Sequence, residues 1–227
     1  MMSINSSPVH ILIILIVSAL LIITGLKKQP GLGILGAVII IILFLFFRGD
    51  SLGAIGFFKP DSWFTTIFSG LILGIVIQLF SVILIEPFSE KITGTKHDHS
   101  LIDSVKGNWK VFIQWLLVVW IFVAVIEEGV FRGFMMTEII NILGVGLPGL
   151  FISVFFTSVV FGLSHGYQSR SGIISTGIVG VILGVIFILS DFNLWLAIFT
   201  HGFIDTIGIG LIAIGGDKYL QNRFWKK

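Results

Sequence analysis

The sequence predicts an all-α protein, a polytopic transmembrane helical bundle of seven to eight spans. Of the 227 residues, 56% are hydrophobic and only 11% are charged, whereas charged residues make up about 25% of a soluble domain. The mean hydropathy is +1.08. Several apolar stretches also reach the length of about 17 to 25 residues with which an α-helix crosses a bilayer.

Seven apolar segments follow one another along the chain, separated by breaks that contain Gly, Pro, Lys or Asp. In chain order they are 10–26, 31–47, 63–87, 109–131, 148–165, 173–190 and 194–214. Residues 133–143 either extend the fourth segment or lie in the membrane interface. Small residues recur at four-residue spacing at Gly70 and Gly74 and again at Gly180 and Gly184, which predicts close helix packing.

Basic residues are distributed unevenly over the two sides of a seven-span arrangement. With alternate loops assigned to opposite sides, one side holds only Arg48 and Lys59. The other side holds Lys27, Lys28, Lys91, Lys96, Lys106, Lys110, Arg170, Lys218, Arg223, Lys226 and Lys227. The positive-inside rule therefore predicts a multi-pass protein of the cell membrane with its N-terminus outside and its C-terminus in the cytoplasm.

The composition excludes several classes of function. There is no cysteine, so a disulfide framework, a thiolate nucleophile and a cysteine-ligated metal are not available. A net charge of +2 gives no indication of nucleic-acid binding, and neither a P-loop nor a dinucleotide fingerprint occurs. The triplet His97-Asp98-His99 can bind a metal. Because no helical spacing organises its side chains, a solvated cytoplasmic loop is the preferred interpretation.

Two carboxylates and a guanidinium lie at the end of the apolar run of the fourth segment. Ionisable groups at membrane depth are costly, so such a cluster indicates a functional site. Glu128 and Arg132 are four residues apart and are predicted to form an ion pair on one face of the helix. Glu127 lies about 100° around the helix from Glu128, so it is the freer carboxylate and the better candidate for a general base.

Two further polar groups recur in later apolar segments. His165 closes the fifth segment, one helical turn after Phe161. If the fourth and fifth segments form an antiparallel hairpin that turns near Gly146, Glu127 and His165 meet at the same depth. His201 and Asp205 are four residues apart on the seventh segment, so the carboxylate can orient the imidazole, or both can face a substrate carbonyl.

These residues resemble the three-motif signature of the CPBP family, which comprises the type II CAAX prenyl endopeptidases and the Abi or bacteriocin-processing membrane proteins. The motifs are Glu127-Glu128-x-x-x-Arg132, Phe161-x-x-x-His165 and His201-x-x-x-Asp205. The match covers roughly residues 109–210 and leaves the first three spans without a counterpart. On this basis we expect N-terminal spans and a cytoplasmic loop over 1–108, a catalytic membrane domain over 109–214 and a basic cytoplasmic tail over 215–227.

The resemblance implies an intramembrane glutamic endopeptidase that uses neither a metal nor a cofactor. On this hypothesis Glu127 and His165 activate a water molecule, and His201 and Asp205 stabilise the oxyanion of the tetrahedral intermediate. Members of the family carry Asn or Asp at the position of Asp205. Glu128 and Arg132, with Phe161 as a packing residue, support the catalytic helix. The expected partners are a membrane-associated peptide or protein substrate and the lipid bilayer.

Two other functional classes are compatible with the same residues. His165 and His201 with a carboxylate from Glu127 or Asp205 would provide the ligand set of a catalytic zinc site. The sequence contains no His-Glu-x-x-His helix, so a zinc peptidase depends on tertiary proximity. A membrane immunity or scaffold protein, or a proton-coupled transporter, would use the same groups without cleaving a peptide. The sequence shows no inverted repeat of the kind found in many transporters.

Overall fold

The computed structural model describes residues 7–225 as helices joined by short connections, and no β-strand occurs in that range. The helices are α1 (Ser7–Leu26), α2 (Pro30–Arg48), α3 (Trp63–Thr93), α4 (Trp109–Leu143), α5 (Leu147–Ser164), α6 (Ser169–Leu189), α7 (Leu194–Ile214) and α8 (Gly216–Trp225). Within the described residues, α1 to α7 are long and apolar enough to cross a membrane. The predicted all-α membrane bundle is thereby confirmed, with seven such helices.

The helix boundaries follow local capping chemistry. Pro30 occupies the first turn of α2, where its missing N–H leaves no hydrogen bond unmade. Asn108 and Asn193 precede α4 and α7, and their side chains accept hydrogen bonds from backbone N–H groups of the first turn. Helix α7 ends at Gly215 in the left-handed region with φ 71°, a conformation that glycine adopts without steric cost.

Helix α4 is longer than its apolar run because residues 133–143 continue the helix. Its middle is wider than an α-helix, with π-helical turns over Val119–Glu127 and Gly129–Met136. Turns of this kind are rare, and they occur frequently at functional sites. The predicted motif of two glutamates and an arginine lies where these two segments meet.

Small residues allow the helices around the site to approach closely. A Cβ atom added at Gly70 or Gly74 would lie 2.6 or 2.5 Å from the Cβ atoms of Phe199 and Phe203, so α3 and α7 pack through these glycines. A Cβ atom added at Gly180 on α6 would lie 3.2 Å from the Phe161 ring on α5. The glycine spacing therefore has the packing role that the sequence predicts.

The first two spans share a core with the helices that carry the polar motifs. Val17 on α1 and Ala37 on α2 are fully buried in one cluster with Phe134 on α4 and Phe161 on α5. The outward faces remain apolar, as Phe46 on α2, 75% exposed, and Phe151 on α5, 70% exposed, illustrate. Such exposed aromatic side chains are the surface expected of helices that face lipid.

The C-terminal segment folds back onto the bundle as α8. The indole N–H of Trp225 donates to the backbone carbonyl of Ile83, with 2.5 Å between the two atoms, and Gln221 donates to Glu86 at 3.0 Å. The predicted tail is therefore helical up to residue 225. Its last two residues, Lys226 and Lys227, lie outside the described residues, as do residues 1–6.

Candidate active site

A buried glutamate, Glu128, joins two of the three polar motifs. Nη1 of Arg132 donates to its Oε1 at 2.8 Å, so the ion pair expected from their spacing is present. Nδ1 of His201 on α7 lies 2.7 Å from the same oxygen. Because a carboxylate oxygen accepts, Nδ1 of His201 carries the proton of this hydrogen bond. Glu128 and Arg132 are 0% and 1% exposed, so this contact fixes α7 against α4 away from water.

Arg132 is held from two further directions. Its Nη2 donates to the backbone carbonyl of Gly180 on α6 at 3.0 Å. Its guanidinium carbon lies 4.6 Å from the centre of the Phe161 ring, a distance at which a cation and an aromatic face attract each other. The Phe161 ring is also 4.6 Å from the His165 ring. Phe161 is therefore a core residue whose ring lies between Arg132 and His165.

Glu127 occupies a different environment from its neighbour. Its side chain is 17% exposed, and its Oε2 lies 3.9 Å from Nε2 of His165. This distance exceeds that of a hydrogen bond. Oε2 is buried and has no hydrogen-bond partner among the described residues. The hairpin between α4 and α5 turns at 144–146, so Glu127 and His165 meet as the spacing about Gly146 predicts.

A backbone contact fixes the tautomer of His165. Its Nδ1 lies 2.8 Å from the carbonyl oxygen of Phe161, one turn earlier on α5. Since a carbonyl oxygen only accepts, Nδ1 is protonated, and the neutral ring presents the lone pair of Nε2 towards Glu127. Two acceptors therefore face each other across 3.9 Å. A water molecule beside both atoms can donate one hydrogen bond to each of them.

The structure provides room for such a water molecule. Glu127 and His165 line a cavity of about 20 Å³, and a volume of roughly 10–15 Å³ on this measure holds one water. Its other lining residues are Leu21, Pro30, Ile34, Phe131, Ser164 and Tyr167. The walls thus come from α1 and α2 as well as from α4 and α5, which the local sequence pattern did not predict.

The predicted His201–Asp205 pair is present but is not the shortest contact of the histidine. Nε2 of His201 lies 3.6 Å from Oδ2 of Asp205, whereas Nδ1 lies 2.7 Å from Glu128. Asp205 is 29% exposed, and it interacts electrostatically with Glu127. The three motifs therefore come together, with Glu128 as the residue that orients His201. Nothing in the sequence around Glu128 indicates that contact.

Metal-ligand geometry occurs elsewhere in the described part of the chain. Ligand atoms of Glu86, His97 and His99 lie within 4.8 Å of one another. No set of three such atoms that includes His165 or His201 lies equally close within residues 7–225. A zinc peptidase built on His165 and His201 would therefore need these side chains to move towards each other.

Comparison with protein families supports the assignment suggested by the motifs. Residues 109–207 match a family model described as Rce1-like, type II CAAX prenyl endopeptidase Rce1-like. The matched segment runs from the first residue of α4 into the middle of α7 and includes all three motifs. Comparisons with curated proteins and with solved structures find no match. The resemblance to the CPBP family is confirmed over residues 109–207, which are similar to the Rce1-like type II CAAX prenyl endopeptidases, a family of membrane proteases.

Proposed function

We propose that the protein hydrolyses a peptide bond of a membrane-associated peptide or protein with a water molecule activated by Glu127. The observation that carries this proposal is the pair of acceptors, Oε2 of Glu127 and Nε2 of His165, that face each other at 3.9 Å beside a cavity of water size. An unpartnered carboxylate oxygen next to a water-sized space is suited to general-base catalysis, because it can accept a proton without first losing another hydrogen bond.

In the proposed reaction, Glu127 takes a proton from the bound water while His165 accepts the second hydrogen bond and orients the molecule. The oxygen of the resulting hydroxide attacks the carbonyl carbon of the peptide, and the π electrons of the carbonyl move to its oxygen. When the tetrahedral intermediate collapses, the carbon–nitrogen bond breaks. The protonated Glu127 then gives its proton to the leaving amine and regains its charge.

We assign stabilisation of the oxyanion to His201, with Asp205 beside it. Nδ1 of His201 donates to Glu128, and Nε2 lies on the side of Asp205. Nε2 donates to the oxyanion when His201 is the imidazolium, which carries a proton on each ring nitrogen. A donor fixed in advance where charge develops lowers the barrier because it does not have to reorient during the reaction. Glu128 and Arg132 act as positioning residues, because they hold His201 and the helix that carries Glu127.

The substrate class that fits this site is an extended peptide delivered at the membrane surface. Pro30 and His165 line the cavity and lie at helix ends, and by the distribution of basic residues these ends face the cytoplasm. A peptide can therefore reach Glu127 without crossing the bilayer. Prenylated C-terminal motifs, leader peptides and membrane-anchored regulators are the three groups of substrate to test.

A cleavage assay tests the proposal directly. Purified protein in liposomes is incubated with lipidated and leader-type peptides, and products are identified by mass spectrometry. We expect the wild-type protein to cleave one class, and the variants Glu127→Gln and His165→Gln to lose that cleavage. Asp103→Asn, a change at a loop carboxylate that is 52% exposed, is the matched control and keeps it.

The outcome also separates the proposal from its alternatives. Cleavage that disappears with a strong chelator and returns with zinc would move the reaction to a metal mechanism. Cleavage by Glu127→Gln at the wild-type rate would show that Glu127 is not the general base. If the folded protein cleaves no peptide of the panel and Glu127→Gln retains the cellular phenotype, a binding or scaffolding role replaces hydrolysis.

A further inference from the structure

A second group of histidines and carboxylates lies outside the candidate active site. His97 and His99 belong to the loop between α3 and α4, and their rings stack with their centres 4.4 Å apart. Nε2 of His99 lies 4.0 Å from Oε2 of Glu86 on α3. Ligand atoms of all three residues lie within 4.8 Å of one another. The loop is therefore not the fully solvated segment that its sequence suggests, because it packs its histidines against a helix.

Within residues 7–225, the carboxylates around this group, Glu86, Glu90 and Asp217, have no lysine or arginine as an ion-pair partner. Glu86 and Asp217 are 5% and 8% exposed, and both Glu90 and Asp217 interact electrostatically with Glu86. Oδ1 of Asp217 is also buried without a hydrogen-bond partner within residues 7–225. Buried carboxylates in such surroundings require a cation or a proton.

His97 has the kind of polar contacts that hold a metal-binding histidine in place. Oγ of Ser175 on α6 lies 3.2 Å from Nδ1 of His97, and the backbone N–H of His97 donates to Glu90 at 3.0 Å. Polar groups that fix the ring of a histidine in this way orient it towards a metal and tune its basicity. In a tetrahedral zinc site the ligand atoms are about 3.4 Å apart, given bonds of about 2.0–2.1 Å. The loop thus needs to close only by roughly 1 Å.

We propose that Glu86, His97 and His99 bind a divalent transition-metal ion of the zinc class, with Asp217 as the carboxylate that completes or neutralises the site. Imidazole and carboxylate donors in a partly buried position select Zn²⁺ over Ca²⁺ or Mg²⁺, which prefer oxygen ligands alone. The ion would join α3, the loop and the start of α8 at one point. It is a structural site, separate from the residues assigned to peptide hydrolysis.

The site is connected to the candidate active site through the backbone. The N–H of Asp98 donates to the carbonyl of Gln168 at 3.0 Å, and Oγ of Ser169 donates to the carbonyl of Lys96 at 2.7 Å. Gln168 and Ser169 follow directly on Tyr167, which lines the cavity beside Glu127. A metal that fixes the loop therefore also restrains this wall of the cavity.

The metal content of the purified protein tests this proposal independently of catalysis. The full-length protein is purified in detergent, loaded with Zn²⁺, freed of excess metal and analysed by elemental mass spectrometry, and Co²⁺ provides an absorption spectrum of the ligand geometry. We expect about one ion per chain in the wild type. For Glu86→Gln and His99→Gln we expect affinity to fall by at least about 100-fold, since the loss of an outer-shell partner alone costs about 10–100-fold.

Two further variants are controls that are expected to keep the metal ion. Asp98→Asn changes the half-buried carboxylate between the two histidines, whose Oδ1 accepts from the backbone N–H of Ser100, and this variant is expected to retain the ion. Glu127→Gln is expected to retain it as well, even though the proposed hydrolysis fails in that variant. Retention of zinc by both Glu86→Gln and His99→Gln, or a wild type that binds none, overturns the proposal. Loss of zinc in His165→Gln with retention in His99→Gln places the ion in the candidate active site instead.

Discussion

Helix α4 carries two buried glutamates, Glu128 and Glu138, that are each held by an arginine and a histidine, but only Glu128 is the direct neighbour of a residue, Glu127, that lines the candidate reaction cavity. In the Glu128 cluster, Glu128 contacts Arg132 and His201. In the Glu138 cluster, a glutamate further along the same helix contacts Arg48 of α2 at 2.7 Å and His10 of α1. Both clusters join helices that are distant in sequence.

The two clusters differ in what surrounds them. Arg48 is 19% exposed and has a second carboxylate, Asp50, at 2.9 Å, whereas Arg132 is 1% exposed. Next to Glu128 stands Glu127, whose Oε2 has no hydrogen-bond partner among the described residues and faces a cavity. Charge at membrane depth is therefore not by itself a mark of chemistry. Oε2 of Glu128 also has no partner within residues 7–225, but Oε1 of Glu128 accepts from both Arg132 and His201. The candidate active site is distinguished from a structural ion network by Glu127, which lines the cavity beside His165.

The largest effect on activity is expected for Glu127→Gln, at the neighbour of Glu128. Loss of a general base lowers rate by about 10²–10⁴-fold, so kcat/KM for the cleaved peptide should fall by that factor. The thermal midpoint in detergent should stay near that of the wild type, because Oε2 of Glu127 has no partner to lose within residues 7–225. Glu138→Gln is the matched variant and should keep most of the activity. An equal loss of kcat/KM in Glu127→Gln and Glu138→Gln would contradict the predicted difference between the two clusters.

Glu128→Gln is expected to have the largest effect on stability. It leaves the guanidinium of Arg132 buried without its charged partner, and breaking a buried pair in this way costs about 3–5 kcal/mol in the free energy of unfolding. Activity should fall too, because a neutral amide replaces the carboxylate that accepts the 2.7 Å hydrogen bond from His201 and weakens the hold on that ring. Chemical denaturation in detergent measures the loss. The double variant Glu128→Gln/Arg132→Met should recover much of it. If the double variant does not regain stability, the broken Glu128–Arg132 ion pair is not the source of the loss.

Glu138→Gln should destabilise the protein less, by about 1.5–3 kcal/mol, the range for hydrogen bonds to charged groups. Arg48 remains paired with Asp50 and reaches solvent, so it is not left buried and uncompensated. The same denaturation experiment compares both variants. Asp50→Asn, at the more exposed end of the network, should cost at most about 1 kcal/mol. A cost for Glu138→Gln equal to that of Glu128→Gln would contradict the predicted difference between the clusters.

Features that depend on local spacing could be predicted from the sequence. The seven spans follow from the length of apolar runs, and the Glu128–Arg132 pair follows from its four-residue spacing. The approach of Glu127 to His165 follows from a hairpin that turns near Gly146. Each of these needs only one helix, or two helices joined by a short turn, so the geometry is fixed before the rest of the bundle is known.

Features that depend on which helices become neighbours could not be predicted in this way. The contact of His201 with Glu128 requires α7 to pack against α4, and the cavity walls at Leu21 and Pro30 require α1 and α2 to pack beside them. The Glu138 cluster likewise joins three spans. Hydropathy gives each span the same apolar character, so it carries no information about their arrangement around α4. Only the assembled bundle shows these contacts.

The smallest effect on activity is expected for Phe161→Leu, a change at a ring that packs against the Glu128 cluster. The ring lies 4.6 Å from both the Arg132 guanidinium carbon and the His165 ring centre, so leucine would remove a cation–aromatic contact and one wall of the histidine. We expect a loss of about 1 kcal/mol in stability and of about tenfold in kcat/KM, since a shift in a positioned group lowers rate. Phe187→Leu, at a fully buried ring that packs edge-on against Phe192, should cost similar stability without loss of activity. Equal activity losses in the two variants would show that Phe161 contributes only packing.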